Sequence, residues 1–269
     1  MPMEILFENE LGKVQLTGSI NPLLSPVEIT GLNLPEKEIT AAKFKMQAGQ
    51  KLISSRDKPR TIKISGMLEG NLPKAARLLY LNGTITIKTE RMLRVISARC
   101  TEIINYANEN KITISFVCDN PYFHDGQDLK IKVYSRINLV SSPFTLPCTF
   151  TNRIRKGNCK NESVVLSEPE IFITNKGKTT AEGFIVTNQN TGAKLELNCE
   201  IPPDTAVFVN IKDRTVYSSN GENLLPALSS DCYLHEFTLA PGDNILSLLA
   251  QDGIECEVIY NTNYTEAVI

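Results

Sequence analysis

The side chains that most often perform catalysis are scarce in this chain. It has two histidines, His124 and His235, and no tryptophan. His235 precedes Glu236, but successive residues of a strand point to opposite faces, so the two cannot work as a pair on one strand face. A glycoside hydrolase needs two convergent carboxylates. The acidic candidates of the second half lie mostly in turn sequences, where acidic residues are expected anyway: Asp204, Asp213, Glu222, Asp231, Glu236 and Asp243. We therefore predict no catalytic residues and no enzymatic activity.

The spacing of the cysteines argues against a metal site. The seven are Cys100, Cys118, Cys148, Cys159, Cys199, Cys232 and Cys256. At least ten residues separate each from the next, whereas structural zinc sites usually use closely spaced pairs. A catalytic cysteine would need a histidine partner, and only two histidines exist. We predict buried, reduced thiols, no metal and no bound cofactor.

Positive charge is concentrated in one segment. Residues 43–99 hold 13 Lys and Arg against three acidic residues, although the net charge of the whole chain is −2. Such a patch can meet phosphate groups or an acidic protein surface, or it can be the solvated face of alternating strands. Nucleic-acid sites commonly stack bases on aromatic rings, and this segment has only Phe44 and Tyr80. A protein interface is therefore favoured over nucleic acid, and the solvated face stays open.

The first half of the chain reads as strands with one helix. Apolar and polar residues alternate, as expected for half-buried strands, at residues 61–65, 84–88 and 111–116. The helix is predicted over residues 72–81. Asn71 can cap its start, Pro73 fits the first turn, and Asn82 with Gly83 can end it.

The second half reads as strands alone. Short strands separated by turn residues are predicted at 170–174, 183–187, 193–197, 207–211, 214–217, 236–239 and 244–248. Asp252 and Gly253 lie between two apolar runs and predict a tight hairpin. Short strands with turns every eight to twelve residues favour a β-sandwich.

The length of 269 residues suggests two domains. We place them at residues 1–130 and 166–269, with residues 131–165 as a connecting segment. Composition is ordinary for a globular protein, at 42% hydrophobic and 22% charged residues. The first residues lack the pattern of a signal peptide, and no apolar run is long enough to cross a bilayer, so no membrane partner is expected.

Several short segments carry a family resemblance. In the first half they are residues 7–12, 27–31, 46–50, 60–66 and 115–123. In the second half they are residues 188–192, 209–216 and 239–244. In order and spacing they resemble the phage distal tail proteins (Dit) and the wider phage tail family of Gram-positive hosts, over nearly the whole chain.

The resemblance implies a mainly β fold, with an N-terminal β-sandwich-like ring domain that has one helix and a C-terminal galectin-like β-sandwich. It also implies a structural protein of the tail tip or baseplate, assembled in the bacterial cytoplasm. Such proteins form a hexameric ring that joins the tail tube to the tail-associated hub protein, and many dock receptor-binding or side proteins. DNA would pass through the channel only as cargo.

Two sets of site residues follow. The basic residues predicted at the ring interface or lumen are Lys43, Lys45, Lys51, Arg56, Lys58, Arg60 and Lys63. The alternative function is a carbohydrate-binding module for host adsorption, with Tyr217 and Tyr233 as sugar contacts. The absence of tryptophan weighs against this alternative, because exposed aromatic rings commonly stack on sugars.

Overall fold

The computed structural model describes residues 3–45, 48–106, 110–134, 156–251 and 253–267. Its contacts divide the chain into two units. Unit 1 comprises Met1–Gly126 and Asn263–Ile269, and unit 2 comprises Gln127–Thr262. The described ends of the predicted connecting segment, residues 131–134 and 156–165, lie in unit 2. The middle of that segment lies outside the described residues.

The secondary structure is almost entirely β. The first elements are β1 (Glu4–Asn9), β2 (Gly12–Thr17), β3 (Leu24–Thr30), β4 (Lys37–Lys43), β5 (Gln50–Asp57), β6 (Arg60–Leu68), α1 (Leu72–Leu79), β7 (Gly83–Lys88), β8 (Leu93–Tyr106), β9 (Lys111–Cys118) and β10 (Phe123–His124). The others are β11 (Leu129–Tyr134), β12 (Lys156–Asn161), β13 (Glu170–Asn175), β14 (Phe184–Asn188), β15 (Lys194–Leu197), β16 (Ala206–Asn210), β17 (Thr215–Ser218), two short 3₁₀ helices (Leu225–Ala227 and Leu234–Glu236), β18 (Gly242–Ala250), β19 (Ile254–Tyr260) and β20 (Asn263–Tyr264).

Unit 1 folds one long sheet around its own core. The strand order is β2-β1-β7-β8-β9-β6-β3, with β10 pairing β8 and β20. The first part of β8 pairs with β7 and the second with β9, and a bulge between Cys100 and Glu102 separates the two parts. A bulge bends its strand, and the two halves of the sheet meet face to face. The rings of Phe7 on β1 and Phe116 on β9 lie 5.6 Å apart, both fully buried.

The helix begins as its sequence predicts. The Asn71 side chain accepts a hydrogen bond of 2.9 Å from the backbone N–H of Lys74, and a proline occupies the first turn. Ala75 and Leu79 are buried in the core of unit 1. The helix ends at Leu79, and the predicted end at residue 81 was two residues too late.

Replacing the helix cap should have a small, measurable cost. We expect Asn71→Ala to lower the free energy of unfolding by about 1 kcal/mol, because the N–H of Lys74 loses its acceptor. Asn71→Asp should retain most of this stability, since a carboxylate accepts the same bond. Urea unfolding followed by circular dichroism measures both variants, and an unchanged midpoint for Asn71→Ala would contradict the role of the cap.

Unit 2 is a sandwich of two antiparallel sheets. The five-stranded sheet has the order β11-β19-β13-β16-β17, and the four-stranded sheet the order β12-β18-β14-β15. Burial alternates along the strands, as in β19, whose alternate residues from Ile254 to Tyr260 are buried. The inward residues of both sheets form one core. The predicted fold class, mainly β with sandwich-like domains, is therefore confirmed.

Two local predictions for the second half were wrong. The turn at Gly253 does not close a hairpin, because β18 pairs with β12 and β14 whereas β19 pairs with β11 and β13. The chain changes sheets at this turn, so both apolar runs face the common core.

Residues 236–239 are not a strand. A 3₁₀ helix ends at Glu236, and only a bridge from Leu239 to Ser167 follows. Burial of Phe237 and Leu239 produces the alternation that predicted a strand.

Candidate functional site

Strands β4 and β5 form an isolated hairpin. They pair with each other along their whole length and with no other strand in the described part of the chain. The backbone N–H of Lys58 donates to the carbonyl of Glu36 at 2.8 Å and closes the base. Two-stranded hairpins are marginally stable alone in water. Packing of another protein surface against this long hairpin would therefore stabilise it.

One face of this hairpin is apolar and exposed. The strand register places Ile39 beside Ser55 and Ala41 beside Leu52, with Ile53 at the bulge. Ile39, Leu52 and Ile53 are 57%, 58% and 64% exposed. Neighbouring apolar side chains left open to water commonly mark a surface that binds another protein.

The base of the hairpin is held by charge. The Asp57 carboxylate lies 3.1 Å from the Lys37 ammonium and accepts a hydrogen bond of 2.8 Å from the Tyr122 hydroxyl. Burial pushes the pKa of Asp57 upward, but the bond from Tyr122 and the charge of Lys37 outweigh it, and the pKa lies below its ordinary value. Burial and the same carboxylate raise the pKa of Tyr122 to about 12. Asp57 therefore stays ionised and orients the base of the hairpin.

Most of the predicted basic residues lie on or next to this hairpin. Six are exposed: Lys43, Lys45, Lys51, Arg56, Lys58 and Lys63. The Arg56 guanidinium is 2.5 Å from the Glu38 carboxylate, and the Lys58 ammonium is 3.5 Å from that of Glu36. Lys63 lies on the outer face of β6 instead. The other five lie on or next to the hairpin, where the strand register places Lys43 on the face of Ile39 and places Lys51 and Arg56 on the opposite face.

Arg60 corrects the prediction for its position. It is 4% exposed at the start of β6 and donates to the carbonyl oxygens of Pro121, Gly31, Asn33 and Thr265. Its guanidinium also lies 4.5 Å from the centre of the Phe123 ring. All of these contacts lie inside unit 1, so the buried Arg60 side chain stabilises the fold and does not present its charge at the surface. Burial lowers its pKa from the ordinary value.

The two tyrosines predicted to contact sugar occupy different places in unit 2. Tyr217 lies on β17, at the end of the five-stranded sheet, directly beside Phe208. Tyr233 precedes the second 3₁₀ helix, where its ring is 5.9 Å from that of His235. Both are exposed. The two tyrosines therefore have different neighbours, Phe208 for Tyr217 and His235 for Tyr233.

The described residues offer little catalytic chemistry. His124 lies in unit 1 and His235 in unit 2. Within the part of the chain that the structure covers, no group of three or more His, Cys, Asp or Glu side chains is placed to hold a metal ion. The described cysteines are free, and burial raises the pKa of Cys118 and Cys159 to about 12, so these thiols stay protonated.

No helix within the described ranges is long and apolar enough to cross a membrane.

The hairpin was missed by sequence reasoning. The sequence indicates a basic segment at residues 43–99 and a first alternating strand at residues 61–65, whereas residues 50–57 already pair back onto residues 37–43. Gly49, which has a φ of +96°, lies in the turn between two short apolar runs. A glycine between two apolar runs is typical of a hairpin turn, so Gly49 was the sequence signal that could have predicted this hairpin.

Comparisons with known proteins agree with the resemblance. Residues 165–264 match the sequence model described as the siphovirus-type tail component, C-terminal domain. The crystal structure of SPP1 Dit, described as a hub adsorption apparatus protein of Gram-positive-infecting phages, superposes with a TM-score of 0.71 at 14% identity, covering 98% of this chain and 99% of that one. No curated protein sequence matches significantly.

Two baseplate structures have a similar fold. A chain of the activated phage P2 baseplate with Ca has a TM-score of 0.51 at 12% identity, covering 99% of this chain and 100% of that one. A chain of the activated phage p2 baseplate with Sr has a TM-score of 0.52 at 13% identity, covering 96% and 98%. Both of these chains come from structures of a phage baseplate in its activated conformation. Residues 165–264 are therefore similar to the C-terminal domain of the siphovirus-type tail component, and the whole chain has the fold of the SPP1 Dit protein.

Proposed function

We propose that this protein forms a ring of identical subunits at the distal end of the tail, joining the tail tube to the hub and offering docking points for receptor-binding or side proteins. The observation that carries the proposal is the β4–β5 hairpin, whose apolar face has no cover within the described chain. In a head-to-tail ring, a surface of one subunit meets a different surface of the next. A protruding hairpin suits this arrangement.

Charge supports the same assignment. The hairpin and its turn are basic, whereas β1 and the turn after it carry Glu4, Glu8 and Glu10. A basic hairpin can meet an acidic surface of the next subunit, and complementary charge favours one register over others. The expected number of six subunits in the ring comes from the family resemblance alone. A basic surface turned inward would instead face the DNA that passes through the channel.

Native mass spectrometry of the purified chain tests ring formation. We expect a species near six times 29.9 kDa, or twice that mass for two stacked rings. A protein that stays monomeric at tens of micromolar, and that is also single-copy in purified tails, would contradict the proposal. Electron microscopy of the tail tip then places the ring relative to the tube.

Charged substitutions on the hairpin should abolish the ring without unfolding the subunit. We expect Ile39→Lys with Leu52→Lys to leave a monomer, because both apolar side chains lie on the exposed face that the neighbour would cover. The matched control is Val164→Lys, which changes an apolar residue of unit 2 that is 80% exposed. Native mass and circular dichroism are measured on both. A ring that forms normally from the hairpin variant, in the presence of native circular dichroism, removes the hairpin from the interface.

A further inference from the structure

The outer face of the five-stranded sheet carries a row of aromatic rings. Phe172, Phe208 and Tyr217 are direct cross-strand partners on β13, β16 and β17. Val207, Val209 and Val216 alternate with them and point into the core. The aromatic row therefore faces outward, and Phe208 and Tyr217 are 38% and 43% exposed.

The three rings have different roles in this row. The Phe172 ring is 5.2 Å from that of Phe208 and stands almost perpendicular to it, at 86°. This edge-to-face contact is favourable and fixes the orientation of Phe208. Phe208 and Tyr217, which we call the platform, are cross-strand neighbours on adjacent strands whose backbones are about 4.8 Å apart. That spacing is comparable with the length of one hexose unit.

A row of hydrogen-bonding groups runs beside the platform. Glu170 and Asn210 are cross-strand partners two residues before Phe172 and two residues after Phe208. The Asn210 amide donates to the Glu170 carboxylate at 3.0 Å and to that of Asp213 at 3.1 Å. All three groups are on the surface, so each carboxylate retains acceptor sites for further donors. Rings flanked by such acceptors suit a ligand with apolar faces and many hydroxyl groups.

We propose that this surface binds a neutral glycan, with consecutive sugar rings stacked on Phe208 and Tyr217. The C–H face of a pyranose carries partial positive charge and is attracted to the electron-rich face of an aromatic ring. Sugar hydroxyls donate to the free oxygens of Glu170 and Asp213. The same carboxylates repel phosphate groups, so the chemistry favours a neutral chain over a polyanion. Tyr233 is not part of this site.

Saturation-transfer NMR and calorimetry on the full chain test the proposal. The neutral probes are cellohexaose, maltohexaose and chitohexaose, and the anionic probe is poly(glycerol phosphate). We expect at least one neutral probe to bind and the anionic probe not to bind. Tyr217→Ala should weaken that binding about tenfold or more, since it removes one stacked ring. Tyr233→Ala is the matched control, an exposed tyrosine of the same unit, and should bind as the unsubstituted chain does.

Two further variants keep the test decisive if Tyr217→Ala folds poorly. Tyr217→Phe keeps the ring and should bind within about threefold of the unsubstituted chain, whereas Glu170→Gln removes an acceptor at the surface and should weaken binding several-fold. The proposal is overturned if no neutral probe binds, if Tyr217→Ala and Tyr233→Ala behave alike, or if the anionic probe binds. A change of native mass in Tyr217→Ala without glycan binding would assign the platform to a protein contact instead. Glycan binding is read on the chain in solution, so its failure leaves the ring proposal untouched.

Discussion

Arg60→Ala is expected to destabilise unit 1 by about 3–5 kcal/mol, among the largest effects of any single substitution in this protein. The guanidinium is buried and bonds carbonyl oxygens from three separate parts of unit 1: residues 31–33, Pro121 and Thr265. Truncation leaves these buried acceptors without a donor. Arg60→Lys should recover little, because one ammonium cannot reproduce the geometry of the guanidinium.

The C-terminal segment gives this prediction a local readout. Strand β20 pairs with β10, Ala267 is fully buried, and the backbone N–H of Ala267 donates to the carbonyl of Leu32 at 3.0 Å. We expect hydrogen exchange at Ala267 to accelerate in Arg60→Ala, together with a lower urea midpoint for unit 1. The matched control is Arg56→Ala, which breaks only an exposed ion pair and should cost less than about 1 kcal/mol. Equal midpoints for the two arginine variants would show that Arg60 is not an anchor.

Asn244→Ala is expected to destabilise unit 2 by about 2–4 kcal/mol. The Asn244 amide group is completely buried. Its nitrogen donates to the carbonyls of Ala240 at 2.7 Å and Gly242 at 3.1 Å, and its oxygen accepts from the N–H of Ala240 at 2.9 Å. The oxygen also accepts from the Asn188 amide at 2.9 Å. One side chain therefore holds the turn before β18 and links it to β14.

The control for this variant is Asn220→Ala, an exposed asparagine in a turn of the same unit. We expect its urea midpoint to match that of the unsubstituted chain. A double-mutant cycle with Asn188→Ala should show coupling of about 0.5–3 kcal/mol, since the two amides share a hydrogen bond. If Asn244→Ala unfolds at the same urea concentration as Asn220→Ala, the network does not stabilise the sandwich.

The asparagines show how a sequence motif can be recognised before its reason is known. Residues 188–192 and 239–244 carried part of the family resemblance as turn-like segments far apart in the chain. The structure brings Asn188 and Asn244 into direct contact inside unit 2. Nothing in the spacing of two asparagines 56 residues apart indicates that their amides will meet, because such a contact depends on sheet order.

The local pattern of apolar and polar residues was enough to predict several strands and the helix. The alternation of residues 61–65, 84–88 and 111–116 falls within β6, β7 and β9, and the cap at Asn71 starts the helix. Backbone propensity and side-chain alternation act over a few residues, so both can be read from the sequence. The same locality explains the failure at Gly253, where the turn was real but the strands beside it pair with other partners.

The positive charge of a side chain did not determine whether it is buried or exposed. Seven basic residues between positions 43 and 63 were alike in sequence, yet Arg60 is buried among carbonyl groups while the other six are exposed. The deciding contacts come from residues 31–33, Pro121 and Thr265. A charged side chain can be buried only where such partners converge.

The sequence alone therefore determined a mainly β chain, one capped helix, a basic segment and a family resemblance, because each depends on composition or on short-range order. Only the tertiary structure decided that residues 37–43 and 50–57 pair as a hairpin with no further strand beside it among the described residues. It also decided that residues 263–267 belong to unit 1, and that Tyr217 joins an aromatic row while Tyr233 does not. These features depend on which strands pair across long separations. That choice is set by the burial of a whole core, which no short window of sequence contains.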